Sequence, residues 1–210
     1  MRLRNVRGSK ALIDSSNYIL KDYMELKGNY NIIFNNNNPI HIEIGMGKGD
    51  FIIEMAKRNP NINFIGIEKY DSVIVRAIQK IDTDIPNLRL IRMDATYIED
   101  VFFDEIDTIY LNFSDPWPKE RHSKRRLTSE NFLKKYDKLF KGDKKIIMKT
   151  DNRKLFEFSL ISFVNYEYKI EEISLNLYED NIDENVPTEY ENKFHSKGFP
   201  IYMVKVKKLK

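Results

Sequence analysis

An α/β fold built on a doubly wound, mostly parallel sheet is predicted by three observations on this chain of 210 residues. Short β-branched runs alternate with longer segments of helical period from about residue 40 onward, the pattern of repeated β-α units. A glycine cluster stands where the first run gives way to the first helical segment. Acidic residues close three successive runs, and in an open sheet such positions meet along one edge.

The strands expected in order are Ile40–Ile44, Asn63–Glu68, Leu88–Met93, Asp107–Asn112, Lys144–Thr150, Tyr166–Ile173 and Ile201–Lys207, each bounded by Gly, Pro, Asn or Asp. Helices are expected at Asp50–Arg58, Ser72–Asp82, Thr128–Phe140 and Arg153–Val164, the third opened by Thr128 or Ser129 as its N-cap. Only a short helix near Glu189–Ser196 separates the last two strands, so the seventh strand is expected to run antiparallel. Residues 1–39 are read as a separate part, ahead of one domain over 40–210: a basic arm (Arg2, Arg4, Arg7, Lys10), an amphipathic stretch Ser16–Leu26, and a polar run Asn35–Asn38 read as a linker.

Composition narrows the function classes. With 35 Lys+Arg against 32 Asp+Glu the net charge is +3, and 41% hydrophobic residues supply a full core while 32% charged residues supply a polar surface. The absence of cysteine excludes disulfides, thiolate metal sites, iron–sulfur clusters and a cysteine nucleophile. Three histidines, His41, His122 and His195, form no metal-ligand spacing, so no metal is expected. No apolar run approaches the roughly 18 residues of a membrane span, and the first residues lack the apolar stretch of a secretory signal. A cytoplasmic protein without a membrane partner is expected, as a monomer or a homodimer.

The first strand runs into Glu43-Ile44-Gly45-Met46-Gly47-Lys48-Gly49-Asp50. Gly45 and Gly47 allow a sharp turn and close approach of a ligand. The spacing departs from the dinucleotide fingerprint, which needs glycine where Asp50 stands, and the phosphate-binding loop pattern is absent. Glu43 would repel pyrophosphate and attract an ammonium or hydroxyl. The second strand ends at Glu68, where an acid suits ribose hydroxyls, and the third ends Asp94-Ala95. Asp94 alone reads equally well as a helix N-cap. Together the three acids point to a small molecule with an amine and a ribose, and S-adenosylmethionine has both, with an adenine amine for Asp94.

The fourth strand leads into Phe113-Ser114-Asp115-Pro116-Trp117-Pro118-Lys119, then Glu120-Arg121-His122-Ser123-Lys124-Arg125-Arg126. Two prolines stiffen the loop, and the cationic run suits a phosphate backbone, with a merely solvated loop as the plain alternative. Trp117 is either a stacking face or a packed core residue.

These segments, with Lys149-Thr150-Asp151-Asn152 and Pro187-Thr188-Glu189-Tyr190-Glu191, resemble the bacterial tRNA (guanine-N7-)-methyltransferases from about residue 40 to the end. The resemblance implies a Rossmann-like class I methyltransferase fold and transfer of a methyl from S-adenosylmethionine to N7 of a guanine in the tRNA variable loop. By position it implies Glu43, Glu68, Asp94 and Asp115 on the donor, with Gly45, Gly47 and Ala95 beside them. It implies Lys119, Asp151, Thr188, Glu189, Tyr190 and Glu191 on the target nucleotide, and Arg121, His122, Ser123, Lys124, Arg125 and Arg126 on RNA. Guanine N7 carries a free lone pair, so no general base is expected; Asp115 is the catalytic candidate, as a carboxylate facing developing positive charge. Without the resemblance, the acidic stretch Glu171 to Glu191 reads as a solvated loop. Two other readings stand beside this one: a nucleic-acid amino-methyltransferase, and a noncatalytic RNA-binding protein on a nucleotide-binding fold.

Overall fold

Each strand alternates at period two, and this decides which face of the sheet every side chain enters. A computed structural model describes residues 8–180, 182 and 185–210; Arg2, Arg4 and Arg7 of the basic arm and part of the acidic stretch lie outside the described residues. The strands are β1 (Ile40–Ile44), β2 (Asn63–Glu68), β3 (Leu88–Arg92), β4 (Ile106–Asn112), β5 (Phe140–Thr150), β6 (Lys169–Ser174) and β7 (Tyr202–Lys208). The helices are α1 (Ser9–Ser15), α2 (Asn31–Phe34), α3 (Asp50–Arg58), α4 (Asp71–Lys80), α5 (Ile98–Val101), α6 (Glu130–Tyr136), α7 (Arg153–Asn165) and α8 (Glu189–His195).

Ile42, Ile44, Ile65, Ile67, Ile109, Leu111, Ile146 and Met148 enter one face and pack on Phe132, Leu133 and Tyr136 of α6 and Leu155, Phe156 and Phe163 of α7. Phe64, Leu88, Leu90 and Tyr110, of the opposite parity, pack on Phe51 and Ile52 of α3 and Ile74 and Val75 of α4. Ile42, Ile65 and Ile109 are fully buried, each worth roughly 1.5–3 kcal/mol of transfer free energy.

The seven strands lie in the order β3-β2-β1-β4-β5-β7-β6. All neighbours are parallel except β7, which runs antiparallel to both β5 and β6. The chain therefore has the doubly wound sheet with a reversed last strand that its sequence predicts. Between β1 and β4 the order reverses, and a crevice opens beyond their carboxyl ends.

Several boundaries differ from the sequence reading. Helix α6 starts after Ser129, whose hydroxyl donates to Lys124 O instead of capping the helix, and ends at Tyr136, because the following residues join the sheet: the amides of Glu105 and Ile106 both donate to Leu139 O, and Phe140 pairs with Ile106. Strand β6 starts three residues late because the Tyr166 amide caps α7 and Glu167 turns the chain at φ 67°.

The segment before β1 is tied to the sheet. Tyr18 O and Leu20 N bond Leu90 N and Leu90 O, covering the amide edge of β3. The buried Glu105 carboxylate accepts from the amides of Gly28, Tyr30 and Phe103 at 2.9, 3.0 and 3.1 Å, and Tyr30 is fully buried. Asn36, in the run expected as a linker, exchanges side-chain hydrogen bonds with Asn63 at the start of β2.

Candidate active site

Strand β1 delivers Glu43 to the carboxyl edge one residue before its end, and β4, its parallel neighbour, delivers Asn112. Both side chains are buried, at 1% and 6% exposure. Asn112 Nδ2 donates to Glu43 Oε1 at 2.8 Å, while Glu43 Oε2 and Asn112 Oδ1 have no partner among the described residues. Two buried acceptors side by side need a donor. Burial pushes the Glu43 carboxyl up to about 7, against the Asn112 hydrogen bond and the Lys149 charge.

Immediately beyond, Gly45 and Gly47 hold φ of 78° and 58°, and a Cβ built on either meets nothing within 4 Å. The turn needs the left-handed backbone that glycine supplies, and it leaves open space over the strand end. Glu68 closes the other side: Oε2 accepts from Gly47 N at 3.2 Å, and Oε1 from the amides of Lys69 and Tyr70 at 2.8 and 2.9 Å. Its pKa is raised by burial, and Asp115 lies close enough to repel it. Asp94 is an N-cap after all, accepting from Thr96 N and Oγ1, and it also pairs with Lys69 at 2.6 Å; Ala95 follows it in a short 3-10 turn.

Glu43, the glycine turn, Asp50, Phe51, Asn112 and Phe113 line a pocket of about 330 Å³ whose rim is formed by Thr188, Glu189, Tyr190 and Lys193. Glu189 pairs with Lys48 at 2.6 Å and reaches Lys80 at 3.5 Å, strapping the start of α8 to the glycine turn. Tyr190 stands beside Asp151, 5.1 Å from the Phe113 ring, and stacks on Phe194 at 4.2 Å. Partial burial raises the pKa of Asp151. Asp115 and Lys119 are exposed on the loop beyond β4. Phe113 and Trp117 bracket that loop with φ of 49° and 42°, left-handed values costly for bulky residues.

Two sequence candidates face inward. Arg126 is 8% exposed; its guanidinium donates to Pro116 O and Trp117 O at 3.2 Å each and covers the Phe158 ring, so it braces the loop from beneath. In this structure its guanidinium is turned to the loop carbonyls and the Phe158 ring, where the sequence reading expected it on RNA. Glu191 is fully buried, paired with Lys149 at 2.6 Å, and closes a capping box with Thr188. Its carboxylate is spent on the protein, so direct reading of the base does not fit this arrangement. Arg121, Lys124 and Arg125 are exposed and His122 and Ser123 half-buried; Arg125 covers one side of Trp117 and His122 meets its ring edge-on at 5.8 Å.

The sequence reading assigns no role to Asn112 or Lys149, each a polar residue at the end of an apolar strand, nor to Lys48 and Phe113, although Lys48, Phe113 and Lys149 stand inside the segments it names. The signal was there for Lys149, a lysine directly after Ile146-Ile147-Met148.

A family model described as a putative methyltransferase matches residues 37–204. A tRNA (guanine-N(7)-)-methyltransferase of Lachnoclostridium phytofermentans is 50% identical over 205 residues, covering 96% of each chain. The chain belongs to the tRNA (guanine-N7-)-methyltransferase family. A family member from Listeria welshimeri is 53% identical over 90% of this chain and 89% of its own. Among solved structures, an antibiotic-related methyltransferase superposes with a TM-score of 0.67 at 16% identity, covering 91% of this chain and 96% of that one. A 16S rRNA adenine methyltransferase of Catenulisporales acidiphilia, solved with its cosubstrate SAM, gives 0.62 at 10% identity over 91% and 93%. Both likenesses bear on the fold of this methyltransferase. No helix among the described residues is long and apolar enough to cross a membrane.

Proposed function

We propose that this methyltransferase takes its methyl group from S-adenosylmethionine and places it on N7 of a guanine in the tRNA variable loop. The observation that carries the donor half is the pair of unpartnered buried acceptors, Glu43 Oε2 and Asn112 Oδ1, under an open glycine turn. An ammonium supplies the hydrogens they lack, and Glu43 and Asp50 in the pocket lining, with Glu68 beyond the glycine turn, suit a cationic group at that end, the lining lysines Lys48 and Lys193 standing on the rim side. Bound there, the donor supplies a methyl on a sulfonium, already electrophilic. Glu68, fixed by three backbone amides, has lone pairs left for a hydroxyl pair. Asp94 and Ala95 stand at the adenine end, where Asp94 must share its carboxylate with Lys69.

The acceptor half rests on the family and on the rim. Guanine N7 needs no base, so the residues there position and stabilise. Asp151 and Tyr190 offer hydrogen bonds to the base edge, Thr188 and Glu189 form the wall, and Asp115 faces the charge that appears as guanine becomes cationic, while Lys119 serves the anionic phosphate of the target nucleotide. The loop Arg121–Arg125 supplies phosphate contacts, and Trp117, held between Arg125 and His122, offers a ring for an unstacked base.

The test is methyl transfer from labelled S-adenosylmethionine to an unmodified tRNA transcript, followed by borohydride and aniline cleavage. A single cut in the variable loop is expected; incorporation with no cut overturns the N7 assignment in favour of an amino-methyltransferase.

The two adjacent arginines separate interface from scaffold. Arg125→Ala is expected to weaken tRNA binding and lower the slope of log affinity against log salt by about one, with the melting temperature unchanged. Arg126→Ala, which leaves two half-buried carbonyls without their donor, is expected to lower the melting temperature, by roughly 2–10 °C for a loss of about 1–3 kcal/mol. Equal salt slopes in both variants and the parent would remove the loop from the RNA footprint.

A further inference from the structure

We infer that Lys149 is a positioning residue for both substrates: its ammonium, buried against the Glu191 carboxylate in the first turn of α8, fixes the Thr188–Glu191 wall and supplies the positive charge facing Glu43 on the pocket floor. The inference rests on the reading of Glu43 as partner of the donor's ammonium.

The geometry leaves Lys149 no direct part in binding. Its side chain is 5% exposed and that of Glu191 is 0% exposed. Nζ donates to Glu191 Oε2 at 2.6 Å, Val186 O at 2.8 Å and Asn185 Oδ1 at 3.0 Å, which uses all three ammonium hydrogens. Lys149 therefore acts through its neighbours. On the far side, Glu191 Oε1 accepts from Asn185 Nδ2 at 2.6 Å and Tyr178 OH at 3.2 Å, and Oε2 also receives the Thr188 amide at 3.4 Å. One ammonium on β5 thus fastens the segment around Tyr178, the turn at Asn185 and Val186, and the start of α8. The rim residues Thr188, Glu189 and Tyr190 sit directly on that fastening.

On the near side the arrangement is electrostatic. Glu43 faces Tyr110 and Asn112 from β4, Asp50 from α3, Glu68 from β2 and Lys149 from β5. Lys149 is the cation of that set; Lys48, on the glycine turn, is engaged with Glu189 at the rim. Two anions, Asp50 and Glu68, and a buried site work against ionisation of Glu43, and the Lys149 charge works for it. A buried ion pair is a poor source of net stability, since dehydration consumes its Coulomb gain. Its place here is explained by what it holds on either side.

The experiment is calorimetric titration of the full chain with S-adenosylmethionine from about pH 5 to 9, for the parent, Lys149→Met and Glu191→Gln. Affinity in the parent is expected to fall on the acid side as Glu43 takes up a proton, and above about pH 8 as the donor's own amino group loses one. Lys149→Met removes the cation facing Glu43, so the acid limb moves up by about one pH unit. Glu191→Gln leaves Lys149 uncompensated and moves the same limb down. The alkaline limb, which belongs to the donor, stays put in both. A purely structural role would weaken binding evenly across pH and shift neither limb. Both variants are also expected to raise KM for tRNA several-fold through the loosened wall.

If Lys149→Met fails to fold, Lys149→Met with Glu191→Leu replaces the ion pair by apolar packing, and the acid limb is still expected to lie above that of the parent. Acid limbs coincident with the parent's overturn the role of Lys149 and leave the donor reading intact. A parent that binds no S-adenosylmethionine, or binds it without an acid limb, overturns both.

Discussion

Replacing Glu43 with glutamine is expected to weaken S-adenosylmethionine binding on the order of 100-fold while making the ligand-free protein more stable at alkaline pH. The two effects have one cause. Burial lifts the Glu43 carboxyl to about 7 in the folded protein, against about 4.3 in an unfolded chain. Between those values the folded state keeps a proton that the unfolded state has released. Stability is therefore present in full below the lower value and is lost as pH rises through the upper one, by about 4 kcal/mol in all. Glutamine resembles the protonated form: its carbonyl still accepts from Asn112 Nδ2, and its amide is a donor beside the unpartnered Asn112 Oδ1. It cannot offer a charge to an ammonium. Thermal unfolding of both proteins at about pH 5 and pH 8 and calorimetric titration with the donor check the pair of outcomes. A melting-temperature difference independent of pH, or donor affinity equal to the parent's, would contradict the assignment. Adding the donor should reverse the ranking at pH 8, because only the parent gains stability by binding.

Much of this site is legible in the sequence because its first half is local. Strand β1, the glycine turn and α3 are consecutive, and the switch from period two to helical period places Glu43, Gly45 and Gly47 within a few residues of one another. Glu68 follows by the same logic at the next strand end. The motif around Trp117 is equally visible, but the orientation of single side chains within it is not. Arg126 and Arg125 are adjacent cations in the sequence, and only the path of the chain turns one beneath the loop and the other over Trp117. Glu191 belongs to a segment whose identity is plain, yet its partner Lys149 is 42 residues away. The pairing depends on β7 lying beside β5, which a pattern of runs does not reveal. Asn112 was hidden for a related reason: a polar residue at a strand end reads as termination until β4 is known to lie against β1. The segment before β1 shows the limit most clearly. Tyr30 is fully buried because Glu105, 75 residues on, takes its amide, and nothing in the local composition marks either residue.

Gly49→Ala is expected to destabilise the protein by about 2–5 kcal/mol, whereas Gly142→Ala is expected to be nearly neutral. Gly49 is the N-cap of α3 at φ 80°, and its amide bonds Met46 O to close the glycine turn. An alanine there pays about 1–2 kcal/mol for the left-handed conformation. Its Cβ would also stand 2.8 Å from the Cβ of Ala77 and 3.1 Å from Ile53 Cδ1. The Ile53 side-chain tip can shift by a few tenths of an ångström, but Ala77 cannot: it is a fully buried residue of α4 whose Cβ is fixed to the backbone. Separating the two helices costs about 1–3 kcal/mol more, as overpacking does. For a domain of this size the sum corresponds to a fall of roughly 5–15 °C in melting temperature. Gly142 has an ordinary φ, and a Cβ there meets nothing within 4 Å, so the alanine control isolates the conformational and steric terms from the mere loss of a glycine. The site feels the same displacement. Moving α3 away from α4 shifts the turn whose Gly47 amide holds Glu68, so donor affinity should fall in Gly49→Ala even below its melting range and stay unchanged in Gly142→Ala. Equal melting temperatures for the two variants would mean that the α3–α4 contact at Ala77 is looser than its geometry requires.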